Sequence, residues 1–265
     1  MRVSGLIILI GLFFGFATSN GCRSENNTRF RAAKVVVIHE KPEHAGNQIY
    51  SELIKRQGFD GFEAWIHYCS ELVATSLYET AEAANARMVD TITYKLKDGG
   101  ALSYKAGAPP HIEIGFDLNY LISFAEKHGM EAATDEVFGI LCHELTHAFQ
   151  AEPKNAGGYE KDTEFFGFIE GLADLVRLQT GGFNPARYPV AGGNFTQGYT
   201  TTAFFYLWIV KKHDPDFIRT LNRTALEWDS WSHEQLFMHL FRKSAQELWQ
   251  QYQGEIDNYP WHEMR

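Results

Sequence analysis

The sequence predicts an α+β domain, with a small mixed sheet in its amino-terminal part and a helical carboxy-terminal half. Two observations set that order. The β-branched run "KVVVI" and the alternating run "HIEIGF" fall before residue 117, and apolar residues at helical spacing dominate after it. A third observation bounds the class. The 265 residues suffice for a substantial core, 45% are hydrophobic and 22% charged, and no repeat or low-complexity tract interrupts them. A formal net charge of -9 argues against a nucleic-acid binder, which should carry a basic face, and the sequence shows no polybasic membrane patch.

The first segment belongs to targeting. Arg2 precedes a near-continuous apolar run from Val3 to Phe16, and Ala17-Thr18-Ser19 supplies the small residues a signal peptidase prefers. The run is shorter than the ~20 residues of a membrane-spanning helix. Residues 1–21 are therefore expected to be a removed signal peptide, and the protein to be secreted. Cys22 after Gly21 offers the alternative of a lipoprotein anchored through that cysteine, although Ser19 and Asn20 replace the usual aliphatic and small residues. Membrane contact is expected only in that case. Residues 22–32 read as a polar linker, 33–255 as one domain and 256–265 as a tail, and the expected state is a monomer. Cys22, Cys69 and Cys142 make no disulfide framework, and the last two, in apolar helical patterns, read as buried thiols. Sequons stand at Asn26, Asn194 and Asn222.

Within the domain, "KVVVI" (34–38) is a buried strand, and the stripe Phe62, Trp65, Ile66, Cys69 and Leu72 predicts a helix from Asp60 onward. "TITYKL" and "ALSYKA" flank Lys97-Asp98-Gly99-Gly100 and read as a hairpin with an Asp-Gly turn. In "HIEIGF" (111–116), Ile112, Ile114 and Phe116 face one way and His111, Glu113 and Gly115 the other. This half-buried strand is expected at the sheet edge, where an extended peptide could pair with it, the alternative being an interior strand paired on both sides. A short helical segment (119–128) precedes a helix over 134–150 capped by Thr134 or Asp135. Another helix covers 163–179 and stops at Gly181-Gly182, and a third runs from about 198 to 212. Ser232-x-x-Gln235 and Ser244-x-x-Glu247 are capping boxes opening two short helices.

The chemistry-bearing stretch is "HELTHAFQ". On a helix, His143 and His147 lie one above the other and can point imidazole nitrogens at one ion, while Glu144 is offset and can take a proton from a water in the site. Two histidines on a helix surface would be the bland alternative. Flanking Phe138, Ile140, Leu141 and Phe149 make the helix mostly buried, and an unpaired buried histidine pair would be costly. Zinc is the expected ion. The third ligand is not a histidine six residues on, because Gln150 stands where that pattern needs glycine and Pro153 where it needs histidine. In "FGFIEGLADLVRLQ", Glu170 and Asp174 repeat the four-residue spacing, so one carboxylate can ligate while the other orients a ligating histidine. Gly171 and Ala173 are small enough for this helix to approach the first closely. Glu160, Asp162 and Glu164 remain open as alternatives, as does a merely solvated stripe of Glu170, Asp174 and Arg177.

"HELTHAFQ", "GFIEGLADLVRLQTG", "QGYTTTAFFYLWI" and "SAQELWQQYQ", in this order, resemble the plant basic secretory protein family and its microbial relatives over roughly residues 110–253. The resemblance implies a zincin-like fold and a zinc metallopeptidase of gluzincin type acting on a peptide or protein substrate. Position by position it implies His143, His147 and Glu170 as ligands, Glu144 as base and Asp174 as the carboxylate behind a ligand. The family's basic character does not transfer to this acidic chain. Tyr199 in "TQGYTT" is matched by a tyrosine in that family, and a phenol beside zinc can donate to the charge that builds on a carbonyl oxygen. The alternative is a ring packed in the core with its hydroxyl at the rim. His111 and His213 show no partner pattern. The rival function is a non-catalytic secreted defence or binding protein that keeps the fold, but a scaffold has no need of Glu144 beside two ligands.

Overall fold

The first strand, β1 (Lys34–His39), is rich in β-branched residues and lies in a sheet whose next strand arrives only after three helices, α1 (Ala45–Arg56), α2 (Phe62–Leu77) and α3 (Ala81–Asn85). The computed structural model describes residues 29–183 and 187–261. The expected signal peptide, Cys22 and the Asn26 sequon lie outside the described residues. Then follow β2 (Thr91–Lys97), β3 (Ser103–Ala108) and β4 (His111–Asp117). The strand order is β1-β2-β4-β3, with β1, β2 and β4 parallel and β3 antiparallel to β4.

Two expectations fall here. β2 and β3 do not form a hairpin, because β4 sits between them, and the tight turn joins β3 to β4 at Pro109-Pro110. For the same reason β4 is an interior strand paired on both sides, and β3 is the edge on that side of the sheet, with β1 at the other. The alternation along β4 was read correctly: Ile112, Ile114 and Phe116 are buried. They face Tyr50 of α1 and Trp65 of α2 in an aromatic cluster, with the Tyr50–Phe116 ring centroids 5.4 Å apart. Burying each such side chain contributes about 1.5–3 kcal/mol. The opposite face is polar, where Lys95 pairs with Glu113 at 2.7 Å.

The next element, α4 (Leu118–Phe149), is two helical segments meeting at a kink, as expected, with the second segment starting earlier than residue 134. It is bent at Gly129, whose φ of 83° only glycine adopts at ease. Asp117 caps its start, and Thr134, expected as a cap, is interior and donates to Met130 O. Thr163 caps α5 (Glu164–Gln179) by accepting from Phe166 N. The close contact between α4 and the end of α5 is made by Gly139 against Gly182, where an added Cβ would lie 1.9 Å from a carbonyl oxygen. Gly171, expected to face α4, faces α6 (Tyr199–Lys212) instead, against Thr202 and Tyr206.

Three further helices, α7 (Phe217–Glu227), α8 (His233–Phe241) and α9 (Ala245–Glu255), close the helical half. Ser244 and Glu247 form the full capping box, whereas Ser232 contributes only its own half, accepting from Gln235 N. The segment expected as a tail packs down: Ile256 and Trp261 are buried, and Trp261 donates to Ile256 O. The end of the expected linker is likewise held, Arg31 pairing with Asp90 at 2.6 Å. Asn222 is buried and accepts from Ala151 N, so its sequon is closed to modification in the folded protein.

Candidate metal centre

The carboxy-terminal part of α4 is buried almost all round, and this is what turns a helix into a site. His143 and His147, one turn apart, stand with rings at 89° and their Nε2 atoms 3.1 Å from each other. Two imidazole nitrogens that close must have a proton or a cation between them. Glu170 comes from α5, its Oε2 3.2 Å from His143 Nε2 and its Oε1 3.6 Å from His147 Nε2. One donor atom from each of the three residues lies within 4.8 Å of the others.

Each of these groups is held from behind. Asp174, one turn beyond Glu170, lies 2.7 Å from His143 Nδ1, which puts the proton on Nδ1 and leaves Nε2 bare. Gln150, at the end of α4, has its amide nitrogen 2.9 Å from His147 Nδ1 while its Oε1 is buried without a partner. A half-turn of that amide puts Oε1 on His147 Nδ1–H as its acceptor. His147 Nε2 is then bare as well. Tyr159 donates its hydroxyl to Glu170 Oε1, and Glu170 Oε2 is buried with no hydrogen-bond partner. Two bare imidazole nitrogens and one orphaned carboxylate oxygen, all convergent, fit a zinc ion with an open fourth position.

Without metal, the positive charge that these close nitrogens require rests on His143, and a bound cation would take the place of its Nε2 proton. Burial opposes a proton on either ring. Against burial, the carboxylates of Asp174 and Glu170 prevail at His143 and raise its pKa, and for His147 burial and neighbouring His143 both lower it. Burial raises Glu144, against the opposing pull of His143. For Glu170 burial acts upward, but His143, His147 and Tyr159 prevail and keep it ionised.

The three groups open into a cleft of about 730 Å³ between α4, α5 and the edge strand β3. Ser103, Tyr104 and Lys105 of β3 form one wall, opposite Ile169 and Tyr199. Tyr199, the first residue of α6, stacks on His143 at 6.1 Å and 11° and is 45% exposed, so it is not a core tyrosine. Its φ of 46° and the glycine before it set the ring over the site. Burial and then Glu170 push its phenol up to about 12, so it keeps a proton to donate.

The alternative carboxylates are elsewhere. Glu164 accepts from His233 and holds the start of α8, Asp162 accepts from Asn194, and Glu160 is exposed. His111 and His213 are not among the cleft residues. Sequence reasoning missed Gln150 and Tyr159. Gln150 lies three residues past His147, a spacing that puts the two on neighbouring parts of one helix end. Tyr159 lies in a loop, where no periodicity announces it.

A family model described as BSP, peptidase of plants and bacteria, matches residues 31–252. No curated protein and no solved structure matched the chain.

Proposed function

The chain belongs to the BSP family of peptidases of plants and bacteria, and from that premise we propose that it is a secreted zinc-dependent peptidase of gluzincin type. The observation that carries the zinc reading is the convergence of His143 Nε2, His147 Nε2 and Glu170 within 4.8 Å, each backed by a group that fixes its protonation. Export is supported by the apolar run from Val3 to Phe16 and the small residues after it.

When bound, zinc supplies Lewis acidity for the attacking water and the scissile carbonyl. The chain's own residues do the rest. Glu144, on the cleft face of α4, accepts the water's proton at its carboxylate and passes it to the leaving nitrogen. Tyr199 donates its phenolic proton in a hydrogen bond to the carbonyl oxygen as negative charge builds there. Asp174, Gln150 and Tyr159 hold His143, His147 and Glu170 in the protonation states and orientations that ligation needs. The strand that can receive an extended peptide is β3, which has a sheet partner on one side only and lies along the cleft.

Elemental analysis of the purified, zinc-reconstituted protein is expected to find about one zinc per chain by this ligand count, with casein or gelatin hydrolysis that a chelator abolishes. Metal-loaded protein that cleaves neither would reject the peptidase reading, and protein that takes up no zinc would reject the metal. The Tyr159→Phe protein tests the support of Glu170. It keeps the ring packed on Phe166 at 5.1 Å but loses the donor to Oε1. Its zinc affinity is expected to fall about 10-fold to 100-fold, as measured by competition with a chromogenic chelator. An unchanged affinity would mean that the Tyr159 hydroxyl leaves Glu170 when metal binds.

A further inference from the structure

Lys105 lines the cleft but takes no part in the chemistry above. In the β3–β4 register it stands opposite Ile114, whose side chain is buried on the helix-facing side of the sheet. Its neighbour Tyr104 lies on the other face, with its ring over Gly115. Lys105 therefore points inward, toward His147, Gln150 and Glu152 along the same cleft. Three other lysines of this sheet region have partners: Lys95 pairs with Glu113, Lys41 with Asp98, and Lys97 lies over the Tyr104 ring. Among the described residues, half-buried Lys105 forms no ion pair and no side-chain hydrogen bond. Burial works against its charge, with Glu152 attracting it only from a distance. Arg87, which donates to Gln150 O and whose Nε is buried without a partner, adds charge of the same sign behind it.

A peptide added to β3 must follow the strand's alternation. The residue directly opposite Lys105 then points its side chain to the same face, with Cβ atoms roughly 4.5–5.5 Å apart. Covering the ammonium with a neutral side chain removes water and returns nothing, whereas a carboxylate restores a charged partner. We propose that Lys105 selects substrates bearing Asp or Glu at the residue paired opposite it, a specificity that rests on the peptidase reading of this cleft. The selection is local, since the chain as a whole carries a formal charge of -9 and would repel acidic peptides at long range.

The test is a set of end-blocked peptides in which each position around the cleaved bond is in turn Glu, Gln or Lys. With zinc-loaded enzyme, Glu at one position is expected to exceed Gln by about tenfold in kcat/KM, the order of a charge-assisted hydrogen bond. The gain should appear in KM, and Lys should be worst. In Lys105→Met the Glu-to-Gln ratio falls to about one; in Lys105→Glu the order reverses in favour of Lys. Equal rates for Glu and Gln at every position, or a Glu preference that survives Lys105→Met, would overturn the proposal. A preference seen only when the peptide's terminal carboxylate is left free would overturn it in favour of carboxy-terminal capture. The same peptides titrated into zinc-loaded Glu144→Gln protein read the preference by binding alone. Charge-selective binding without hydrolysis by the unmutated protein supports Lys105 and rejects only the peptidase reading, and absence of both rejects the two together.

Discussion

The Glu144→Gln protein is expected to hold zinc in the same amount as the unmutated chain and to hydrolyse peptides at least about 100-fold more slowly. The amide is nearly the same size, and Glu144 is 6% exposed, so the surroundings of His143 and His147 are preserved. What is lost is a basic oxygen beside the open side of the site. Burial raises the Glu144 pKa, which makes its carboxylate a better base than an exposed one. Replacing a desolvated carboxylate with a neutral amide removes a cost of burial, so the melting temperature is not expected to fall. Single-turnover hydrolysis and zinc content, measured on the same sample, separate the two effects. Rates within a few-fold of the unmutated protein would place the base elsewhere, and Glu152 is the other carboxylate in the cleft without a structural partner among the described residues.

How far the sequence reaches depends on whether a feature is local. The spacing of His143 and His147 and of Glu170 and Asp174 is a property of one helix each and puts each pair on one face; that the two faces meet is supplied by the packing of α5 on α4. The alternation in "HIEIGF" is local too, and it places Ile112, Ile114 and Phe116 in the core, whereas Gly115 on the other face is buried under the Tyr104 ring. Strand order is not local. Lys97-Asp98-Gly99-Gly100 turns the chain whether or not β2 and β3 go on to pair, so the turn signal was real and the hairpin was not. The true β3–β4 turn at Pro109-Pro110 sits between a strand ending in small residues and one already recognised. Gly171 was correctly read as a place of close approach, but its partner, α6, could not be chosen from the residue alone. Tyr159, in the irregular chain before α5, reaches Glu170 across 11 positions, a contact that only the fold supplies.

The Glu170→Ala protein is expected to lose zinc affinity by well over the roughly 100-fold that removal of a supporting group costs. The change leaves two imidazoles without the anion that completes the donor set, and among the described residues no other carboxylate is grouped with both histidines. Asp174 is held on the far side of His143, at Nδ1 rather than Nε2, and Glu164 is held by His233. Folding should survive, because Glu170 Oε2 makes no hydrogen bond and the Tyr159 hydroxyl, on a side chain 59% exposed, can turn to water. Thermal unfolding with and without zinc gives a readout that needs no substrate. A ligand that binds only the folded state stabilises by RT ln(1 + [L]/Kd), about 2.7 kcal/mol at 100 Kd. Zinc should therefore raise the melting temperature of the unmutated protein and leave that of Glu170→Ala unmoved at the same concentration. Glu170→Gln separates charge from shape: it keeps the partner of Tyr159 and the volume of the side chain, and should fall between the two. A zinc-dependent shift in Glu170→Ala as large as in the unmutated chain would remove α5 from the metal site and leave Glu144 as the carboxylate nearest both histidines on α4.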